Sequence, residues 1–318
     1  MSSDGAGART GGRGFTRFIG ISLGGGRGKT TAVARLEGEA DTLRLVEARV
    51  RHGHRGSGED SDDGGDPLFR DEVLVAYLER HVDDGTAVAI NAPLTLPPCI
   101  RCELACPGVS ACSVPVVAWM RRHAPALIGR RGRTDPGKPA VTPYTQRAAD
   151  LLLAHAGLQP RESLGQGMGP LAARAAYLRR VLSPRLRLHE NLIEVHPPAT
   201  LIRLAGESVV RRLGVGPADE AWALRRRVLS ELRPGLRFDY VWPDIVVRSP
   251  HVFEAVIAAY TAFLWALQGW QGPGDVRTAG GGAVVVRDPL DAALAELGEL
   301  WLADGWIWVP PVQTRGGP

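Results

Sequence analysis

All four cysteines of the chain lie within residues 99–112, CIRCELACPGVSAC, as Cys99, Cys102, Cys106 and Cys112. Four thiolates in one short loop can wrap a single metal ion or an iron–sulfur cluster. The amino-terminal sequence MSSDGAGARTGGRGFTR has no apolar stretch, so no secretory signal is predicted and disulfides are disfavoured. We therefore expect a [4Fe–4S] cluster or a zinc ion here, in a structural or redox-sensing role. The alternative is two pairs of reduced thiols without a metal.

A glycine-rich stretch at residues 22–36, SLGGGRGKTTAVARL, raises the question of a phosphate-binding loop. If Gly28, Lys29 and Thr30 ended such a loop, its first glycine would stand at position 23, which is Leu23. A helix should follow the loop, whereas TTAVARL and the later LRLVEARV alternate like strands. The pattern favours a hairpin turn over the loop of a nucleotide hydrolase.

The pattern of strands and helices around these residues predicts an α/β protein. Strands are predicted at 18–21, 30–36 and 43–50, then a helix at 67–81 and a buried strand at 86–90. The order βββαβ opens the ribonuclease H-like fold and also underlies the actin and sugar-kinase ATPases. Further helices are predicted at 114–123, 145–156, 170–182, 218–232 and 252–267, with a strand at 192–195 and a docking tail at 305–310.

The predicted organisation is one domain. We expect a ribonuclease H-like mixed sheet with a βββαβ core over residues 17–318, a disordered tail at 1–16, and a helical, cysteine-rich, metal-binding insertion at about 97–140. The apolar segment 252–267 is short for a membrane span and contains Glu254, so it is predicted to be a core helix and the protein cytoplasmic.

Local basic clusters carry more information than the net charge of +4, because only Lys29 and Lys138 are lysines among 38 basic residues. Residues 121–138 hold six cations against one acid, Asp135. Such an excess predicts a nucleic-acid-binding surface. The segment TPYTQR at 142–147 adds side chains suited to clamp a phosphate or base at a helix start, although ordinary helix capping is the alternative. The predicted nucleic-acid-binding residues are Arg130, Arg131, Arg133, Lys138, Tyr144, Gln146 and Arg147.

Eight blocks in order resemble a bacterial family catalogued as predicted nucleases with a ribonuclease H fold. They are GISLGGGRGKTTAVARL, VAINAPLTLPPCIRC, CPGVSAC, TPYTQRAADLLL, RESLGQGMGPLAARAAYLRR, LIEVHPPATL, FEAVIAAYTAFLWA and DGWIWVP, spanning about residues 18–310. The resemblance implies metal-dependent phosphodiester hydrolysis, with nucleic acid as partner and with Mg²⁺ or Mn²⁺ held by carboxylates.

The resemblance also implies where those carboxylates should stand. The corresponding positions are Ser22, Asn91, Glu194 and, in the last helix, Glu254. Ser22 and Asn91 replace expected aspartates, and neutral side chains bind Mg²⁺ much more weakly than carboxylates do. The expectation is therefore a catalytically impaired nuclease. Glu194 paired to an arginine, and Glu254 stabilised by a helix dipole, are the alternatives for the two remaining acids.

Other functions remain open on the sequence alone. The chain could be a pseudonuclease that binds nucleic acid without cleaving it, or a metal-stabilised scaffold. An actin-like ATPase would need a second phosphate loop, and residues 277–286, RTAGGGAVVV, are a poor match to one.

Overall fold

The computed structural model describes residues 12–25, 30–39, 42–51, 70–128, 140–233, 235–238, 241–276 and 288–312. Over these ranges the chain forms one seven-stranded mixed sheet and eleven α-helices. Two groups of buried apolar side chains account for the core. The mixed α/β class predicted from the sequence is confirmed.

Three antiparallel strands begin the sheet: β1 (Arg17–Ser22), β2 (Thr31–Glu39) and β3 (Thr42–Arg51). Ser22 at the end of β1 pairs with Ala32 of β2, so a strand and not a helix follows the glycine-rich stretch. This excludes the strand–loop–helix order of a P-loop. Residues 26–29 of that stretch lie outside the described residues.

The remaining strands run parallel to their neighbours. After α1 (Asp71–His81), β4 (Thr86–Ile90) lies parallel to β1, and β5 (Leu192–Val195) lies parallel to β4. Two short strands, β6 (Leu236–Arg237) and β7 (Ile307–Trp308), complete the order β6-β3-β2-β1-β4-β5-β7. Because β1, β4 and β5 are parallel, their carboxyl ends meet at one edge of the sheet.

The other ten helices follow the order of the chain. They are α2 (Pro115–Ile128), α3 (Ala148–His155), α4 (Gly169–Leu182), α5 (Pro197–Ala205), α6 (Glu207–Val215), α7 (Ala218–Glu231), α8 (Pro243–Arg248), α9 (Pro250–Gln268), α10 (Pro289–Leu297) and α11 (Leu300–Asp304). The carboxy-terminal segment 306–309 is buried, which confirms the predicted docking of the tail.

Helix α9 packs directly against β1. Ser249 caps it by accepting a hydrogen bond from the Val252 amide, and Gly269 ends it in the left-handed conformation. A Cβ at Gly20 would overlap the Ala255 carbonyl oxygen and the Ala259 backbone nitrogen, so only glycine permits this approach. By length and composition α9 is the one described helix that could span a membrane, but 72% of its apolar window is buried in the protein, as in a core helix.

Residues 12–16, expected to belong to a disordered tail, run along α9 instead. The Arg13 guanidinium lies 3.9 Å from the ring centroid of Trp265 and donates to the carbonyl oxygens of Trp265 and Trp270. Cation–π stacking combined with satisfied backbone carbonyls explains why this short segment is held.

Candidate functional site

Three residues predicted for the acidic centre do meet at the carboxyl edge of the sheet. Ser22 ends β1, Asn91 directly follows β4, and Glu254 lies in the first turns of α9. The Ser22 hydroxyl donates to Glu254 Oε2 at 2.9 Å, and Asn91 Nδ2 approaches the same oxygen at 3.4 Å. The predicted convergence is therefore present, but with a single carboxylate at its centre.

These side chains line a cavity of about 270 Å³, which we call the site pocket. Its walls come from the ends of β1, β4 and β5 and from the starts of α4, α5 and α9. The lining residues are Ser22, Leu23, Asn91, Ala92, Pro93, Pro160, Arg161, Met168, Leu171, Glu194, Val195, His196, Pro198, His251, Glu254 and Ile307.

Glu194 borders the site pocket, but its carboxylate accepts hydrogen bonds from residues that do not line the pocket. Arg147 Nη2 donates to Glu194 Oε1 at 2.6 Å, and Arg147 Nη1 donates to Oε2 at 2.8 Å. The backbone amide of Leu94 donates to Oε2 at 2.8 Å. In all three hydrogen bonds the carboxylate accepts, as an ionised carboxylate must. Glu194 therefore anchors the loop that follows β4, and its charge is balanced by Arg147.

Burial and ion pairing shift the pKa values of this pair in opposite directions. Burial raises the pKa of the Glu194 carboxyl, while the Arg147 guanidinium and the Leu94 amide oppose that rise. For Arg147, burial alone would lower the pKa, but the carboxylates of Glu194 and Asp150 outweigh it and the pKa is raised. The guanidinium is therefore charged throughout the physiological range.

A wider network extends from Arg147 to the cysteine-bearing segment. Arg147 Nη1 also donates to the Thr95 hydroxyl at 2.7 Å, and that hydroxyl donates to the Asp304 carbonyl at 2.7 Å. The Asp304 carboxylate accepts from the Ala148 amide at 2.8 Å and from Arg101 at 2.6 Å. The loop after β4, the start of α3 and the end of α11 are thus fixed together by buried polar contacts.

Two histidines and an arginine complete the polar lining of the site pocket. Burial, together with the nearby Arg161 guanidinium, lowers the pKa of His196 to about 4. His196 is consequently neutral at physiological pH. Arg161 is exposed, and neither the Arg161 side chain nor the His196 ring forms a hydrogen bond or ion pair with another described residue.

The comparisons with known proteins identify the family. A protein-family model described as "Protein of unknown function (DUF429)" matches residues 26–278. The chain belongs to the DUF429 family. No curated protein and no solved structure matches it.

The structure of this DUF429 protein corrects the metal predictions. Cys112 is buried, Cys99 is half-buried, and Cys102 and Cys106 are exposed, so the thiols lie at different depths. Among the residues that the structure describes, no group of three or more His, Cys, Asp or Glu side chains is placed to hold a metal ion. The predicted [4Fe–4S] or zinc site is therefore wrong, as is the Mg²⁺ or Mn²⁺ centre expected if the nuclease site were active.

The donor set of the site pocket gives the physical reason for the second correction. Hard divalent cations prefer carboxylate oxygens. Here Ser22 and Asn91 present hydrogen-bond donors to Glu254, and the charge of Glu194 is balanced by Arg147. The residues present do not fit a pair of divalent ions.

The predicted nucleic-acid contacts divide into three groups. Arg147 is fully buried, so it cannot contact a phosphate backbone in this structure. Tyr144 is 47% exposed, and Gln146 donates to Glu162 at 2.8 Å. The four basic residues of the adjoining loop lie outside the described residues: Arg130, Arg131, Arg133 and Lys138.

Sequence reasoning missed Arg161 and His251 as lining residues of the site pocket. Arg161 immediately precedes Glu162 at the start of the RESLGQG block, and His251 lies three residues before Glu254. Arg161 therefore lies within one of the eight blocks, and His251 lies beside another. Nothing near either residue in the sequence indicates which side chains it would meet. Only the fold brings them to the strand ends.

Proposed function

We propose that this DUF429 protein binds nucleic acid and does not cleave it by two-metal chemistry. In this proposal the sheet is a ribonuclease H-like core, and the place of the nuclease centre has become a binding pocket. The observed order βββαβ, with β1, β4 and β5 parallel and the expected positions gathered at their carboxyl ends, supports that assignment.

One observation carries the proposal. The two residues that stand where aspartates are expected, Ser22 and Asn91, both donate hydrogen bonds to Glu254, whereas the other acid of the pocket, Glu194, is paired with Arg147. A two-metal centre needs several ionised oxygens to balance the charge of two divalent cations. A hydroxyl and an amide that donate to the only available carboxylate provide neither the charge nor the free oxygens. The same groups are well suited to hydrogen bonding with a polar ligand.

The affinity for nucleic acid would come from two sets of cations. Arg161 lies at the pocket, and residues 121–138 provide a sequence-local excess of positive charge. Arginine binds phosphate through paired, charge-assisted hydrogen bonds. We assign the loop cations Arg130, Arg131, Arg133 and Lys138 to non-specific backbone contacts in this proposal.

The test compares three proteins: wild type, Ser22→Asp/Asn91→Asp, and Ser22→Asp/Asn91→Asp/Glu254→Gln. Each is assayed for binding to, and cleavage of, single- and double-stranded DNA and RNA, with and without Mg²⁺ or Mn²⁺. We expect the wild type to bind without cleaving and to show no Mg²⁺-dependent change in Tm. The double variant should gain a Mg²⁺-dependent rise in Tm, because it restores a cluster of carboxylates, and the triple variant should lose part of that rise.

Two results would contradict the proposal. Metal-dependent cleavage by the wild type would show that the remaining acids suffice for catalysis. Absence of binding to every nucleic acid at low salt would remove the binding function and favour a scaffold.

A further inference from the structure

The site pocket is small for a nucleic-acid groove. Its volume of about 270 Å³ is just below the range typical of small-molecule sites, and it is enclosed by strand ends and helix starts. A duplex cannot enter such a space. A single nucleotide is the largest part of a nucleic acid that a cavity on this scale would take.

One side of the site pocket is suited to an anion. Arg161 has no ion-pair partner among the described residues, and the ring of the neighbouring His196 has no hydrogen-bond partner among them. Because His196 is neutral, one ring nitrogen can donate without adding charge. An arginine with an imidazole offers several donors to phosphate oxygens.

The helices around the cavity reinforce this polarity. Helices α4, α5 and α9 all begin at the wall, and no side chain caps α4 or α5. The positive ends of their dipoles therefore face the same space. Pro197 and Pro198 remove amide donors at the start of α5, as does Pro250 at the start of α9. The helices therefore contribute mainly a positive electrostatic potential, and direct hydrogen bonds to the anion depend on the side chains.

The other side of the site pocket is suited to a hydroxyl or amino group. Ser22 and Asn91 both bond to Oε2 of Glu254, which leaves Oε1 with its acceptor capacity. Glu254 would repel a bare phosphate placed beside it. A ligand that satisfies both sides needs a phosphate at one end and a sugar hydroxyl or exocyclic amine at the other.

We infer that the site pocket binds a nucleoside monophosphate unit, either free or as the phosphate-bearing terminal nucleotide of a strand. In its second form the inference rests on the proposed function and narrows it to strand ends. The phosphate lies at Arg161 and His196, and the nucleoside donates to Glu254.

The first experiment titrates the wild-type protein with adenosine 5′-monophosphate, adenosine and inorganic phosphate by calorimetry. We expect the monophosphate to bind at least about tenfold more tightly than either of the other two, because only it satisfies both sides of the pocket. The Arg161→Gln variant should lose about tenfold in affinity for the monophosphate. Arg211→Gln, which alters an exposed arginine on α6 remote in sequence, is the matched control and should bind as the wild type does. Equal affinity for adenosine and its monophosphate, or no effect of Arg161→Gln, would overturn the inference.

The second experiment separates the two sources of the monophosphate. A short single-stranded oligonucleotide is prepared with a 5′-phosphate, with a 3′-phosphate, or with hydroxyls at both ends, and binding is followed by fluorescence anisotropy. Tighter binding of one phosphorylated strand, lost in Arg161→Gln, supports recognition of a strand end. If all strands bind equally, the proposed function stands and the strand-end form of the inference fails. If no strand binds while the monophosphate does, the pocket is a free-nucleotide site and the proposed function fails.

Discussion

Arg147 donates hydrogen bonds to both carboxylate oxygens of Glu194, at 2.6 and 2.8 Å, with both side chains almost fully buried. The sequence indicated separate roles for them, one as a nucleic-acid contact and the other as an acid of a metal centre. Their pairing removes both from those roles. It also holds the loop after β4 in place, since Glu194 accepts from the Leu94 amide.

Replacing Arg147 alone should destabilise the protein strongly. Arg147→Met leaves Glu194 buried without its cation, and breaking a buried pair in this way costs about 3–5 kcal/mol. Urea unfolding should show a loss of this size. Arg147→Met/Glu194→Gln should be more stable than the single variant, because the amide keeps an acceptor for Leu94 and removes the unpaired charge.

The exposed ion pair of Arg227 and Glu231 provides the control for the Arg147 variants. It lies on α7 at 2.8 Å with both side chains more than half exposed. Arg227→Met should change the free energy of unfolding little, because solvent screens an exposed ion pair. Equal losses for Arg147→Met and Arg227→Met would show that the buried network does not support the fold.

Glycine at position 20 is required by the approach of α9 to β1. Gly20→Ala places a methyl group against the backbone of Ala255 and Ala259, which cannot move without shifting the helix. We expect a loss of at least about 3 kcal/mol in the free energy of unfolding. Gly14→Ala meets nothing within 4 Å and should change stability little. A well-folded Gly20→Ala protein with unchanged Tm would contradict the close packing described for α9.

Periodicity was sufficient to predict the elements whose pattern is local. Strands β4 and β5 match their predicted bounds, because each is a short buried apolar run. Helices α5 and α6 were missed. Helix α5 begins with Pro197 and Pro198, a pair that interrupts helical periodicity although proline is well tolerated in the first turn of a helix. Two-residue strands such as β6 have no periodicity that a sequence could reveal.

The site was predictable in position but not in chemistry. Strand ends, together with the resemblance, indicated Ser22, Asn91 and Glu254, and the structure brings these side chains together, since parallel strands bring their carboxyl ends to one edge. The partner of Glu194 was not predictable, because Arg147 is 47 residues away and one of many arginines. The cysteines misled because closeness along the chain does not ensure that the thiols form a metal-binding group, and none is present among the described residues.

Stability should fall on mild acidification, partly through His189. Burial, aided by the nearby guanidinium groups of Arg179 and Arg147, lowers the pKa of His189 to about 4. The unfolded chain, with an ordinary value near 6.5, therefore binds this proton more readily. The contribution of neutral His189 is complete above about pH 6.5 and is lost as the pH falls toward 4. The neutral ring also accepts a hydrogen bond from Trp308 Nε1 at 3.2 Å, which protonation would remove.

The pH effect can be measured with His189→Asn. His189 has φ of 68°, a left-handed conformation that asparagine tolerates, and asparagine does not titrate. The free energy of unfolding is measured in urea from pH 7 to pH 5. We expect a shallower loss of stability in the variant than in the wild type, by up to about 2 kcal/mol. Identical slopes would show that His189 does not bind a proton on unfolding in this range.

The basic loop should determine how binding to nucleic acid depends on salt. Each arginine that neutralises a phosphate releases a counterion and adds about 0.9 to the slope of log affinity against log salt concentration. Arg130→Gln/Arg131→Gln/Arg133→Gln should therefore reduce that slope by about 2–3 in anisotropy titrations with double-stranded DNA. Arg211→Gln/Arg212→Gln/Arg226→Gln removes the same charge from exposed positions on α6 and α7. This control should leave the slope nearly unchanged. An equal fall in both triple variants would mean that net charge, and not the loop, governs binding.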